Sequence, residues 1–133
     1  MKKILIADDN IIKYFAIKRV LEVNGICDIV YVRNQEAVWE EIKKSEGLGK
    51  PIDLIISDVN YPLSKGGEAN PEAGFILLKE MKKRKPEIPV LLCSSQKYNT
   101  VEAFGCVWYH KEGNWESDLK EILQKIEKQG NKI

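Results

Sequence analysis

"LIISDVNYP", residues 54–62, decides how this chain reads. Three apolar residues and a serine run straight into Asp58, and Pro62 follows four residues later. A strand buried on both faces explains the apolar run. It does not explain the carboxylate at its end. A bare buried charge costs several kcal/mol unless something pairs with it. Asp58 therefore either leaves for solvent at the strand tip or sits among groups that need it.

The same kind of apolar run recurs at regular intervals. "KILIA" (3–7), "CDIVYV" (27–32), "PVLLC" (89–93) and "GCVWY" (105–109) read as four more strands. Helical patterns lie between them. In 11–24, Ile12, Phe15, Ala16, Val20 and Val23 share one side, and Gly25 supplies a stop. In 35–45, Val38, Ile42 and Ser45 share a face, with Asn34 as cap. "NPEAGFILLKEMKKRKP" reads as a helix with Asn70 as cap, Pro71 at its first position and basic residues gathered at its far end. The last helix, about 115–128, carries Leu119, Ile122, Leu123 and Ile126 on one stripe. The stretch 95–104, "SQKYNTVEAF", offers at most two turns, so a short fourth helix or an irregular loop is expected there.

Alternation of this kind implies an α/β fold: a doubly wound, flavodoxin-like, five-stranded parallel sheet with helices on both faces. Right-handed crossovers place all strand carboxyl ends on one edge, where ligands of such folds bind. The 133 residues suit one domain, with a core over 3–128 and a short tail at 129–133. Net charge is +1, from 21 basic and 20 acidic side chains, which argues against direct nucleic-acid binding by bulk charge. No apolar run is long enough for a transmembrane helix, and the apolar run in "MKKILIADDN" is too short for a signal peptide. Cys27, Cys93 and Cys106 lack metal or redox spacing and read as buried reduced thiols. A cytoplasmic protein is expected.

The opening question can now be answered. Asp8 and Asp9 end the first strand as Asp58 ends the third, so three carboxylates converge on one edge. They repel unless a hard cation sits among them, and oxygen-only ligands suit Mg²⁺. Ser94 follows the fourth strand and Lys111 the fifth. Any one of these is an ordinary polar residue where a strand exits. Together, carboxylates, a hydroxyl and a lysine describe a site for a phosphoryl group with Mg²⁺.

With these residues in place, the sequence resembles the receiver domain of two-component response regulators, in the single-domain form of chemotaxis regulators, over about 3–128. The motifs are "ILIADDN", "LIISDVNYP", "VLLCSS" and "VWYHK". The resemblance implies that Asp58 is the phosphoacceptor, attacking a phosphohistidine. It implies Mg²⁺ held by Asp8, Asp9, Asp58 and the backbone carbonyl of Asn60. It gives Ser94 and Lys111 the phosphoryl oxygens and Trp108 the place of the switch aromatic. The implied partners are a sensor histidine kinase or histidine phosphotransfer protein and a downstream output protein, with no membrane and a monomeric state. A receiver is a phosphoacceptor signalling domain and not an enzyme in the ordinary sense.

The sequence departs from the family in places. Gly74, expected just after the phosphoacceptor loop, lies sixteen residues past Asp58, so about 63–70, "SKGGEANP" at its heart, reads as an inserted loop left mobile by its two glycines. Tyr61 replaces a methionine. The lysine is followed by Glu112 where the family has a cis proline; a non-proline cis bond costs ~2.5–4 kcal/mol, so a trans peptide is expected. His110 reads as a solvent-facing strand end. Two other readings stay open: a degenerate receiver that binds partners without phosphorylation, and an aspartate-nucleophile phosphatase of the haloacid dehalogenase type. The latter expects an aspartate where Asn60 stands, and a cap domain for which the chain has no room.

Overall fold

The computed structural model describes residues 3–129; the rest of the expected tail lies outside them. In chain order the elements are β1 (Lys3–Ala7), α1 (Ile11–Val23), β2 (Asp28–Val32), α2 (Gln35–Gly47), β3 (Leu54–Ser57), β4 (Tyr61–Pro62), β5 (Ala69–Asn70), α3 (Ala73–Arg84), β6 (Val90–Ser94), β7 (Gly105–Trp108) and α4 (Trp115–Lys128). Five strands form the main sheet in the order β2-β1-β3-β6-β7, and every neighbouring pair is parallel. The order reverses between β1 and β3, which opens a crevice at their carboxyl ends.

The central strands bury both faces, and their alternation splits the core in two. Leu5, Ala7, Ile55 and Leu92 point into one cluster with Val38 and Ile42 of α2 and Leu77 and Met81 of α3. Ile4, Ile6, Leu54, Ile56 and Leu91 point into the other, against Ile17 and Leu21 of α1 and Leu119, Leu123 and Ile126 of α4. The continuous Ile/Leu runs are thus what a two-sided sheet requires.

Several local expectations are corrected. The inner face of α1 is Lys13, Ile17, Val20 and Leu21, while Ile12, Phe15 and Val23 are exposed. The cap at Asn10, which accepts hydrogen bonds from Ile12 N and Lys13 N at 3.1 Å each, sets the rotation of the first turn. α3 begins at Ala73, not beside Asn70; the Asn70 side chain accepts from Glu72 N and closes a turn ahead of the helix. Between β6 and β7 the chain runs through turns and bends with no α-helix, so the irregular loop replaces the short fourth helix. That segment is too short and too polar to bury a helical stripe. Cys27 is exposed, not buried; Cys93 is buried, Cys106 is half-buried, and all three are free thiols.

The inserted segment is an ordered hairpin. Tyr61 pairs with Asn70 and Pro62 with Ala69, antiparallel. Gly66 takes φ +77° in its tip, a conformation that favours glycine. Leu63 O accepts from Glu36 N at 3.0 Å, and Glu36 Oε1 accepts from Lys65 N at 3.2 Å. The hairpin is therefore pinned to the start of α2, and the mobility expected from its glycines is not what they serve.

Across the hairpin's base, Gly74 N donates to Val59 O at 2.9 Å. A Cβ at Gly74 would stand 2.6 Å from Asp58 O and 2.8 Å from Val59 Cα. Both are backbone atoms and cannot swing aside. Gly74→Ala should lower stability by about 1–3 kcal/mol, the range for overpacking a tight contact. A shift in the urea midpoint measures it; an unchanged midpoint would contradict the contact.

Candidate functional site

Strand register sets the site. Ala7 pairs with Ser57, Ser57 with Leu92 and Leu92 with Cys106. One residue on, Asp8, Asp58, Cys93 and Val107 form a row across the carboxyl edge. Asp58 N donates to Ala7 O at 2.9 Å and Asp8 N to Val32 O at 3.1 Å, which holds both aspartates at the crevice. Oxygens of Asp8, Asp9 and Asp58 all lie within 4.8 Å of one another. Asp8 is buried, and Asp9 and Asp58 are half-buried.

The cation among them is Lys13, which the sequence reading did not single out. Its side chain is 4% exposed. Its Nζ lies 2.8 Å from Asp8 Oδ2 and 3.2 Å from Asp58 Oδ1, and donates to Cys93 O. An ammonium has three protons, and here it has three oxygens. For Lys13, burial works against the charge, but the acidic groups facing it prevail and its pKa is raised. For Asp8, burial pushes the carboxyl up to about 6, with the Lys13 ammonium and the Asn10 N–H pulling the other way. Burial drives the Cys93 thiol up to about 12, so it stays protonated and inert beside Asp58.

Asp58 Oδ1 also accepts from Val59 N at 2.7 Å, so both contacts fall on one oxygen and Oδ2 is the less engaged. Behind it runs a buried relay. Gln35 Nε2 donates to Tyr61 Oη at 3.2 Å and to Ala73 O at 2.8 Å. Ser57 Oγ donates to Asp58 O at 2.8 Å and stands 3.0 Å from Tyr61 Oη. Ser57 has one proton, so the tyrosine supplies the proton between them. Burial lifts the Tyr61 phenol to about 12, against its hydrogen bonds with Ser57 and Gln35, which keeps that proton in place. Tyr61, Gln35 and Ser57 thus tie the loop after Asp58 to α2 and α3 by hydrogen bonds.

The remaining expected residues are placed as follows. Ser94 is buried, and its Oγ accepts from Gln96 N at 3.2 Å. Asn60 is exposed in the turn after Asp58. Trp108 pairs with Ser94 in register; its Nε1 donates to Ser95 O at 3.0 Å, and its ring stacks on His110 with centroids 4.4 Å apart. Lys97 Nζ sits 4.5 Å from the same ring. Lys111 makes no ion pair with Asp58. It lies four residues past the aspartate row, exposed, in the turn that leads to α4, and makes no ion pair among the described residues. The Lys111–Glu112 peptide is trans. Sequence reasoning missed Lys13, Gln35 and Ser57. The available signal for Lys13 was its spacing: four and eight residues before Ile17 and Leu21, both wholly buried, it shares their stripe.

The family model described as the response regulator receiver domain matches residues 4–106. Among solved structures, the response regulator TrrA of Thermotoga maritima, in complex with Mg(2+)-BeF, is 23% identical with a TM-score of 0.70, covering 95% of this chain and 99% of that one. The chemotaxis response regulator CheY4 of Vibrio cholerae is 22% identical with a TM-score of 0.69, covering 95% and 98%. The RcsB response regulator of Salmonella typhimurium is 22% identical with a TM-score of 0.71; the match covers 96% of this chain but 62% of that one. This chain thus spans about three fifths of that RcsB structure. No curated protein sequence matches the chain.

The relay makes a prediction of its own. Tyr61→Phe keeps the ring's packing and removes the hydroxyl from between Gln35 and Ser57. It should cost about 1–2 kcal/mol, the loss of a buried hydrogen-bond partner. Chemical denaturation measures it, and a variant as stable as the parent would show the relay to be idle.

Proposed function

The chain belongs to the response regulator receiver domain family, and from that premise we propose that it accepts a phosphoryl group on Asp58 and signals through the change this makes in its surface. The observation that supports this most is Asp58 itself: half-buried, fixed in the row with Asp8, and with one carboxylate oxygen lightly engaged. In the proposed transfer that oxygen attacks phosphorus in line. The new P–O bond forms as the donor's P–N bond breaks, and the leaving nitrogen keeps the electron pair. The protein's own task is to hold the nucleophile and offset charge, since phosphoryl transfer needs little more. The Ser94 hydroxyl is assigned to a phosphoryl oxygen, and Trp108, its register partner, to the relay of that contact outward.

The donor set fits Mg²⁺. Asp8, Asp9 and Asp58 offer hard oxygens close together, and the Asn60 carbonyl is assigned as a further ligand. When bound, the ion neutralises charge on the phosphoryl oxygens. The structure of a protein of this fold with Mg(2+)-BeF supports the assignment. The proposed donor is a histidine kinase or phosphotransfer protein, and the proposed reader is an output protein that distinguishes the two states. Among the described residues no helix is long and apolar enough to cross a membrane; a cytoplasmic site of action is proposed.

Two measurements test this. Acetyl phosphate with Mg²⁺ should add one labile phosphoryl group by intact mass, and Asp58→Asn should abolish the addition. No addition under saturating donor would leave a module that binds partners unphosphorylated. The second is pH dependence. In the metal-free protein Asp8 holds a proton below about 6, and Mg²⁺ must displace it. Calorimetric Mg²⁺ affinity should therefore be flat above that pH and fall about tenfold per unit below it. Affinity unchanged from pH 7 to pH 5 would exclude Asp8 as a ligand.

A further inference from the structure

We propose that Lys13, from the first helix, sets how tightly the acidic cluster holds a divalent ion: it is a resident cation, bonded to carboxylates that the ion must use. The inference rests on the Mg²⁺ reading of that cluster and concerns the strength of binding there. Lys13 Nζ lies 2.8 Å from Asp8 Oδ2 and 3.2 Å from Asp58 Oδ1, so it engages one oxygen on each of two candidate ligands. The other oxygen of Asp8 accepts from Asn10 N at 2.9 Å. Asp58 Oδ1 accepts from Val59 N as well. What remains for an ion is Asp58 Oδ2 and the Asp9 carboxylate, which makes no ion pair among the described residues.

The ammonium has nowhere to go when a metal arrives. Its side chain is 4% exposed, and it also donates to Cys93 O on the sheet. The ring of Tyr109 lies with its centroid 5.6 Å away, and Tyr109 N is tied to Ser94 O at 2.7 Å. The stem shares a helix stripe with Ile17 and Leu21, which are wholly buried. The chain's own cation therefore stays in place, and two like charges face each other across shared carboxylates. The ammonium also offsets part of the negative charge that would attract the ion. Both effects weaken binding, and both are stronger in a partly buried cluster than in water.

The same contacts do part of a metal's structural work. With Lys13 in place, Asp8 and Asp58 are held side by side without an ion, so Mg²⁺ finds the cluster already assembled and stabilises the fold little. The same cluster without the charge would repel itself until an ion entered. It would bind that ion more tightly and gain more stability from it, because anything that binds only the folded state stabilises it by mass action.

The test titrates Mg²⁺ alone into the parent, Lys13→Gln and Asp9→Asn by calorimetry, at about pH 8.5, well above the carboxylate range. Glutamine keeps an N–H donor for Asp8 and the Cys93 carbonyl and removes the charge; circular dichroism checks the fold. Lys13→Gln should bind Mg²⁺ at least about tenfold more tightly than the parent, the effect of removing one like charge at close range. Its melting temperature should also rise further than the parent's when the ion is added. A second readout needs no variant at the site. In the ¹⁵N-labelled parent, the buried ammonium of Lys13 should give a slowly exchanging signal that moves in step with the calorimetric curve, since coupling between two bound charges is reciprocal. This signal decides the matter if Lys13→Gln does not fold. Binding by Lys13→Gln no tighter than the parent's, or an ammonium signal that stays put as the metal site fills, would show a structural counter-ion only and overturn the inference. No Mg²⁺ binding by either protein, or binding by the parent that Asp9→Asn leaves unchanged, would overturn the Mg²⁺ reading, and this inference with it.

Discussion

Three carboxylates at one sheet edge repel each other, and the fold is arranged around the ammonium that relieves this. Lys13 reaches Asp8 and Asp58 from inside the protein, at 2.8 and 3.2 Å. A lysine this deeply buried is tolerated only because each of its protons meets an oxygen. Its position fixes much else. It requires α1 to turn a charged residue inward at its first turn, which the Asn10 cap imposes. It leaves Ile12 and Phe15 outside, where an apolar face would otherwise have been buried.

Charge placement and mechanical support are separated in this site. The charges meet on the crevice side of the row. The support lies behind it, in the chain from Gln35 through Tyr61 and Ser57 to the carbonyl of Asp58. A hydrogen-bonded relay of neutral groups rigidifies the loop after Asp58 without adding charge to an already crowded edge.

The sheet was legible in the sequence because its signal is redundant. Five apolar runs, each four to five residues long, repeat the same message. The acidic triad was legible for a related reason: Asp8, Asp9 and Asp58 end strands, and parallel register brings strand ends together whatever lies between. Lys13 was not legible by the same rule, because it lies on a helix and its inward direction depends on the cap. Ranking residues by hydrophobicity put Ile12 and Phe15 inside and so rotated α1 away from its true face. The glycines of the insertion suggested motion, yet one of them shapes a hairpin tip.

The bond from Gly74 to Val59 has a wider meaning. It closes the segment between the end of β3 and α3 into a ring that is clipped at its base. For a chain whose ends are already joined, the entropy of closure grows only with the logarithm of length, about 0.6 kcal/mol for each doubling. The stretch between the clip points is thus an evolutionary slack variable. Residues can enter or leave it while the geometry of Asp58, set on the other side of the clip, stays constant. The sixteen-residue interval between Asp58 and Gly74 is one setting of that variable.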